Sequence, residues 1–171
     1  DDEGASTSQQ NPEHLGNAWF VNELVTVDNA NQAILALDTI NPSTTAIVES
    51  NEFDYSNTTY DVDFSDHIEL KSYKENELIY TYQASTDNLV LFSELYYPKG
   101  WKVTIDGEQV DHFRANYVLR ALEVPAGQHQ IRFSFEPELI SYGGKISLGS
   151  FILLLLIILG GLGYSIKRKQ F

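Results

Sequence analysis

Eight residues between positions 96 and 120 combine aromatic rings with polar side chains suited to binding a ligand. Aromatic faces provide a stacking platform, and Arg and Asn provide directed hydrogen bonds, as a sugar or a phospholipid headgroup requires. The residues predicted to form a glycan or acceptor surface are Tyr96, Tyr97, Trp101, His112, Arg114, Asn116, Tyr117 and Arg120. The alternative is that the aromatic rings fill a sheet core while Arg114 and Arg120 pair with nearby carboxylates.

The rest of the sequence shows no catalytic or cofactor-binding pattern. It has no Gly-rich phosphate loop, no His-x-x-x-His pair and no Gly-x-Ser-x-Gly elbow. The absence of cysteine excludes disulfides, Cys-ligated zinc and thiol catalysis. We therefore expect no catalytic residue, no cofactor and no metal. The four His are scattered, and His129 is expected to pack on a core face rather than to act as a ligand or base.

An acidic stretch raises the question of calcium, which prefers hard oxygen ligands. Its members are Asp54, Asp61, Asp63 and Asp66. Their spacing fits no calcium-binding loop, because the glycine needed for the sharp turn is missing, so a solvated loop is the preferred interpretation. The chain as a whole has a net charge of −13. Phosphate backbones would repel it, and nucleic acid is therefore not expected as a partner.

Short strands are predicted to position the candidate surface. They cover residues 66–73, 77–84, 88–97, 101–106, 109–113, 116–124 and 128–135. Asp106 and Gly107 between two alternating runs predict a two-residue hairpin turn. Several short strands at close spacing predict a mainly β fold of the sandwich type.

A small α+β element is predicted before these strands. Residues 18–27 are strand-like, Asp28 can cap a helix over 29–37, and a strand follows over 44–49. The helix residues expected to face inward are Ile34, Leu35 and Leu37.

An uncharged apolar run at the C-terminal end predicts one transmembrane helix. The run extends from Ile146 to Ile166, and 21 residues at 1.5 Å each reach about 31 Å, close to the thickness of a hydrocarbon core. All 24 acidic residues precede it, and Lys167, Arg168 and Lys169 follow it. The positive-inside rule therefore predicts an extracytoplasmic acidic domain and a cytoplasmic C-terminus.

Four parts are thus expected along the chain. They are a disordered lead-in over residues 1–12, an extracytoplasmic β-rich domain over 13–143, the transmembrane helix over 146–166 and the basic tail over 167–171.

Three stretches of the sequence resemble the C-terminal region of a bacterial membrane protein family. They are NPEHLGNAWFV, DNANQAILALDTINP and the long run LFSELYYPKGWKVTIDGEQVDHFRANYVLRALEVPAGQHQIRFSFEPELISYGGKIS. The Tyr-Tyr-Pro-x-Gly-Trp, Arg-Ala-Asn-Tyr and Val-Pro-Ala-Gly-x-His elements, followed by an apolar span, resemble the YfhO family, in particular its Bacteroidetes members. The family's motif falls on Tyr97, Gly100, Trp101, Arg114, Asn116, Tyr117, Arg120, Pro125 and Gly127, which look chiefly structural.

The resemblance implies a much longer parent protein in the bacterial inner membrane. Family members look like multi-pass glycosyltransferases of the GT-C type that use lipid-linked sugars, with a catalytic acid near their N-terminus. No catalytic residue of that kind can be assigned to this chain. The resemblance therefore implies a non-catalytic accessory domain, whose partners are the remaining transmembrane helices and a cell-envelope glycan or lipid-linked sugar. The alternative is a single-pass surface binding module without an enzymatic partner.

Overall fold

The computed structural model describes residues 14–50, 53–137 and 147–160, and these residues are mainly β. In chain order the named elements are β1 Ala18–Val21, β2 Glu23–Val27, α1 Ala30–Leu37, β3 Thr45–Glu49, β4 His67–Lys74, β5 Glu77–Ala84, β6 Asn88–Leu95, β7 Trp101–Ile105, β8 Glu108–Val110, β9 Phe113–Ala115, β10 Leu119–Val124 and β11 Gly127–Phe135. The mainly β fold class is confirmed.

Two antiparallel sheets face each other, as expected of a sandwich. One has the strand order β1-β6-β10-β9 and the other the order β4-β5-β11-β7-β8. The main core lies between them, with Tyr80, Phe92 and Phe133 fully buried. The Phe92 ring lies 5.0 Å from both the Tyr80 and the Phe133 ring, centroid to centroid, in edge-to-face contact. Such contacts add to the stabilisation from burial.

The four-stranded sheet is buried on both faces. Because side chains alternate along a strand, Val90 and Phe92 of β6 belong to the main core, whereas Leu89 and Leu91 belong to a second core on the opposite face. The cover over that face includes β2 and β3. These two strands pair in parallel, and helix α1 is the crossover connection between them. The predicted strand over 18–27 is therefore two strands, which lie in separate sheets.

Helix α1 begins one residue later than predicted and buries a different side chain. Asn29 is the N-cap, and its side-chain oxygen accepts a hydrogen bond from the Gln32 backbone N at 3.1 Å. Ala33 is the buried residue, whereas Ile34 and Leu35 are exposed. The prediction that these two face inward is wrong. The helix lies beside β2 and β3, and Ala33 is its buried side chain.

The remaining strand predictions are confirmed with small shifts, apart from two regions. Residues 109–113 contribute to two short strands, β8 and β9, in different sheets. Strand β10 begins at Leu119 rather than at residue 116, because Asn116 and Tyr117 have φ of 47° and 69°. The predicted hairpin turn at Asp106-Gly107 is confirmed: both residues have positive φ, and Ile105 pairs with Glu108.

The first and the last strand of the sandwich, β1 and β11, meet the rest of the chain at the same end of the fold. The Asn17 carbonyl accepts a hydrogen bond from Ser93 N near the end of β6. Strand β11 runs antiparallel to β5 and ends at Phe135, whose N donates to Asn76 O just before β5 begins. The short connection 85–87 between β5 and β6 lies at the opposite end. We call the end that holds Asn17 and Phe135 the exit end.

Residues 147–160 form a further helix without charged side chains, and its apolar side chains are exposed. Across the described parts of the chain, no helix combines the length and the hydropathy that a bilayer crossing requires. The predicted span 146–166 extends into residue 146 and residues 161–166, which lie outside the described residues. The predicted lead-in, the tail and residues 138–143 of the predicted domain lie outside them as well.

Candidate binding site

A cleft at the exit end lies beside Trp101, the first residue of β7. Its volume is about 600 Å³, within the range of roughly 300–1,000 Å³ found for ligand pockets. Its lining consists of Tyr97, Pro98, Lys99, Gly100, Trp101, Lys102, Phe135, Glu136 and Pro137. We call it the Trp101 cleft.

Three aromatic rings and one glycine shape the cleft. The Phe135 ring lies 5.2 Å from the Trp101 ring and 6.5 Å from the Tyr97 ring, centroid to centroid. Gly100 has φ of 119°, and a Cβ at this position would lie 2.9 Å from Cε2 of Phe135. Only glycine meets both conditions without strain. The turn before β7 is therefore held close to Phe135.

Charged groups at the rim add hydrogen-bonding capacity to this aromatic surface. Lys102 Nζ donates to Glu136 Oε2 at 3.1 Å, and this contact lowers the pKa of the Glu136 carboxyl. Lys99 is exposed on the turn. The cleft thus combines ring faces with ammonium donors and a carboxylate acceptor. These are the groups that bind the hydroxyls and the apolar face of a sugar ring.

Arg120 lies beneath Trp101 and is buried, with 3 % of its surface exposed. Its guanidinium carbon is 4.3 Å from the centroid of the Trp101 ring and 5.3 Å from that of Phe133, which is cation–π geometry. Its Nε donates to the Leu95 carbonyl at 2.8 Å. Within the described part of the chain, Nη1 has no hydrogen-bond partner and no carboxylate is in salt-bridge contact with Arg120.

Two further polar atoms are buried near Phe133. His112 Nε2 and Tyr80 Oη have no hydrogen-bond partner among the residues described, and both rings contact Phe133 edge-on. Burial, together with the Arg120 charge, lowers the pKa of His112 to about 4. Burial likewise raises the pKa of the Tyr80 hydroxyl. His112 is therefore a neutral imidazole at pH 7.

The structure separates the eight predicted surface residues into several groups. Tyr97 and Trp101 line the Trp101 cleft, and Trp101 also lines a neighbouring cleft of about 200 Å³ with Tyr96 and His112. Arg120 packs beneath Trp101 from inside the core.

The remaining three predicted residues lie outside both clefts. Arg114 Nη2 donates to Glu49 Oε1 at 2.8 Å, as the carboxylate-pairing alternative expected. Asn116 is buried, and its Oδ1 accepts a hydrogen bond from Ile47 N at 2.8 Å, so it ties the sandwich to β3. Tyr117 is exposed in the turn before β10.

Sequence reasoning missed part of the cleft lining. Lys99 and Phe135 were not among the predicted surface residues, although both line the cleft. Lys102, Glu136 and Pro137 were not singled out. The alternation in β11 was the available signal, since a ring at the last position of a core strand lies at the mouth of the sandwich.

A second cleft, of about 350 Å³, contains a His–Asp pair. His129 Nδ1 lies 2.6 Å from Asp106 Oδ2, and its Nε2 lies 3.1 Å from the Ala126 carbonyl oxygen. A histidine base needs a free Nε2 that faces the group it deprotonates. Here Nε2 faces a backbone acceptor, so the pair braces two turns. As predicted, His129 packs against a core side chain, with its ring centroid 5.5 Å from that of Tyr82.

Two residues of the acidic stretch, Asp63 and Asp66, accept hydrogen bonds from turn residues. Asp66 Oδ1 accepts from Ser85 N at 2.8 Å, and Asp63 Oδ1 accepts from Ser65 N at 2.8 Å. Over residues 14–50, 53–137 and 147–160, no three His, Cys, Asp or Glu side chains are grouped for metal binding.

Comparison with known proteins links the chain to a family. A family profile described as bacterial membrane protein YfhO matches residues 15–147, which include every strand from β1 to β11. No curated protein and no solved structure matches the chain.

Proposed function

The chain belongs to the YfhO family of bacterial membrane proteins, and on that premise we propose that its β-rich domain is a non-catalytic glycan-binding domain attached to the membrane. The ligand is a cell-envelope glycan or a lipid-linked acceptor, bound in the Trp101 cleft. The domain supports a glycosyltransferase-like parent protein by holding the acceptor next to the bilayer.

The observation that carries this proposal is the composition of the Trp101 cleft. Two ring faces, Trp101 and Phe135, stand beside the Lys102–Glu136 pair in a volume large enough for a sugar unit. Aromatic stacking supplies affinity, and the charged pair supplies directed hydrogen bonds to hydroxyls. Gly100 fixes the distance between the turn and Phe135, so the cleft is formed before a ligand arrives.

The proposed anchor is the apolar run 146–166, with the acidic domain outside and the basic tail in the cytoplasm. The absence of charge in the run and the Lys-Arg-Lys cluster after it support this orientation. The chain has no cysteine, so single cysteines report accessibility without background. Phe64→Cys is expected to react with an impermeant maleimide in intact spheroplasts, and Gln170→Cys only after lysis. The reverse pattern would overturn the orientation.

Glycan binding is tested on the full chain in nanodiscs by intrinsic fluorescence. The chain has two Trp residues, so Trp19→Phe leaves Trp101 as the only indole reporter. Titration with cell-envelope glycans and lipid-linked sugars is expected to give a saturable change in Trp101 emission.

A matched pair of variants locates the site by calorimetry. Trp101→Ala is expected to abolish binding, whereas Arg114→Ala is expected to retain it, since Arg114 pairs with Glu49 away from the cleft. Circular dichroism confirms folding in both. Absence of saturable binding by folded protein, or equal losses in the two variants, would refute the proposed site.

A further inference from the structure

Four exposed apolar side chains lie together at the exit end, at the end of β6 and in the two adjacent loops that follow β6 and precede β10. Leu95 is the last residue of β6 and Tyr97 follows it, whereas Tyr117 and Val118 precede β10. The two loops are joined because Tyr96 N donates to Val118 O at 2.7 Å and Leu95 pairs with Leu119. Leu95 is 67 % exposed and Tyr97 49 % exposed. We call Leu95, Tyr97, Tyr117 and Val118 the apolar tip.

Packing in the core does not explain why the apolar tip contains large apolar side chains. Tyr117 adopts φ of 69°, a left-handed conformation that costs a non-glycine residue roughly 1 kcal/mol. Its ring is nevertheless exposed. The turn itself is held by its neighbour Asn116, through hydrogen bonds with Ile47. The Tyr117 ring and the Val118 side chain are thus presented to the surroundings by a turn that is anchored elsewhere.

The two chain segments that build the tip contain no acidic residue. Segments 95–105 and 112–122 lack Asp and Glu in a chain that contains 24 of them, and Lys99 is exposed on the turn two residues after Tyr97. Two carboxylates lie nearby. Glu136 pairs with Lys102, and the partly buried Glu94 interacts electrostatically with the buried Arg120. The tip therefore has little negative charge of its own, which reduces the repulsion between it and a negatively charged surface.

Chain length places the tip close to the apolar run. Pro137 lies at the exit end, and residues 138–145 connect it to Ile146. Nine residue steps span at most about 30 Å even when the chain is fully extended. Tyr and Trp side chains favour the interface between water and lipid, where one edge of the ring is polar and the other apolar.

From these observations we propose that the apolar tip docks onto the lipid headgroup region of the membrane that anchors the chain. The inference rests on the membrane attachment proposed above. The docked tip orients the exit end, and with it the Trp101 cleft, towards the bilayer surface. The Lys99 ammonium group contacts lipid phosphates, while the rings and Leu95 contact the upper acyl chains.

The test measures the depth of single Trp residues in the full chain, reconstituted in nanodiscs of phosphatidylcholine and phosphatidylglycerol. Trp19→Phe together with Trp101→Phe removes both native indoles. In this background Tyr97→Trp places a reporter on the tip. Phe64→Trp places a matched reporter on an exposed turn at the opposite end, near Ser85.

Brominated acyl chains are expected to quench Tyr97→Trp at least about twofold more strongly than Phe64→Trp, because bromine quenches only indoles that reach the lipid. Equal quenching of the two reporters would overturn the proposal. A blue-shifted Tyr97→Trp emission without bromine quenching would also overturn it, because a protein surface would then cover the tip.

A second set of variants separates docking from anchoring. In the Trp101 single-indole chain, Leu95→Ser with Val118→Ser is expected to reduce bromine quenching of Trp101, whereas Phe64→Ser leaves it unchanged. Unchanged quenching in the tip variant would contradict docking. Flotation with liposomes reports anchoring by itself, so a chain that floats without tip quenching refutes docking and leaves the glycan-binding domain and its anchor in place.

Discussion

The guanidinium group of Arg120 lies 4.3 Å from the Trp101 ring, although the two residues belong to different sheets. The contact closes the main core at the exit end. It also supports the inner side of the ring that lines the proposed glycan cleft. Stability and the proposed ligand binding therefore depend on the same pair of residues.

Replacing Arg120 is expected to lower the free energy of unfolding, and more so the smaller the new side chain is. Arg120→Ala removes the support beneath Trp101 and leaves the Leu95 carbonyl without its donor, which costs about 2–4 kcal/mol of unfolding free energy. Arg120→Met keeps most of the volume and removes a buried charge, so its loss is expected to be about half as large. Urea unfolding of the full chain in detergent, followed by Trp fluorescence, measures both. Equal losses would show that volume is not the deciding factor.

Asn116 is expected to be sensitive to any change that removes its side-chain oxygen. Asn116→Ala leaves Ile47 N buried without its acceptor and places alanine at φ of 47°, so a loss of about 2–3 kcal/mol is expected. Asn116→Gly relieves the backbone strain and should lose about 1 kcal/mol less. Asn22→Ala, at an exposed position, serves as the control for the same urea measurement. A glycine variant less stable than the alanine variant would contradict this account.

His112 makes the domain less stable in acid. Its pKa is lowered from the ordinary value of 6.5 to about 4, so the folded state binds fewer protons than the unfolded state between these values. Stability therefore falls as the pH falls from 6.5 towards 4, by up to about 3 kcal/mol. His112→Phe is expected to remove this part of the pH dependence. NMR titration of the His112 ring should find it neutral at pH 6, and a protonated ring at that pH would refute the assignment.

His129 acts in the opposite direction. The Asp106 carboxylate and the Ala126 carbonyl raise its pKa, so the folded state holds the proton more tightly. This stabilisation is fully present below the unfolded value of about 6.5 and is lost as the pH rises through the folded pKa. Asn, like Asp, tolerates the positive φ of this turn, so Asp106→Asn should leave the turn intact. Because it removes the carboxylate, it should lower the pKa of His129. NMR titration of both proteins measures the shift, and an unchanged pKa would exclude Asp106 as its main cause.

Most strands could be predicted from alternation because the five-stranded sheet has one core face and one exposed face. Strand β5 shows this directly: Leu78, Tyr80 and Tyr82 are buried, and the residues between them are less so. Sheet membership could not be predicted. A single residue, Asn22, separates β1 from β2, and the change of sheet at that point leaves no pattern in the sequence.

The sequence predicted which residue types belong to the candidate site, but only partly which of these residues lie together in the fold. Tyr97 and Trp101 do line one cleft, whereas Asn116 supports a turn and Arg114 forms an ion pair. The position of Arg120 beneath Trp101 depends on how two sheets pack, which is a contact between distant parts of the chain. Spacing along the sequence contains no information about such a contact.

Asn17 and Phe135 lie at the same end of the fold. The two chain ends of the β-rich domain therefore leave it from one side. A domain whose two chain ends lie at one end is attached to the rest of its chain from a single side.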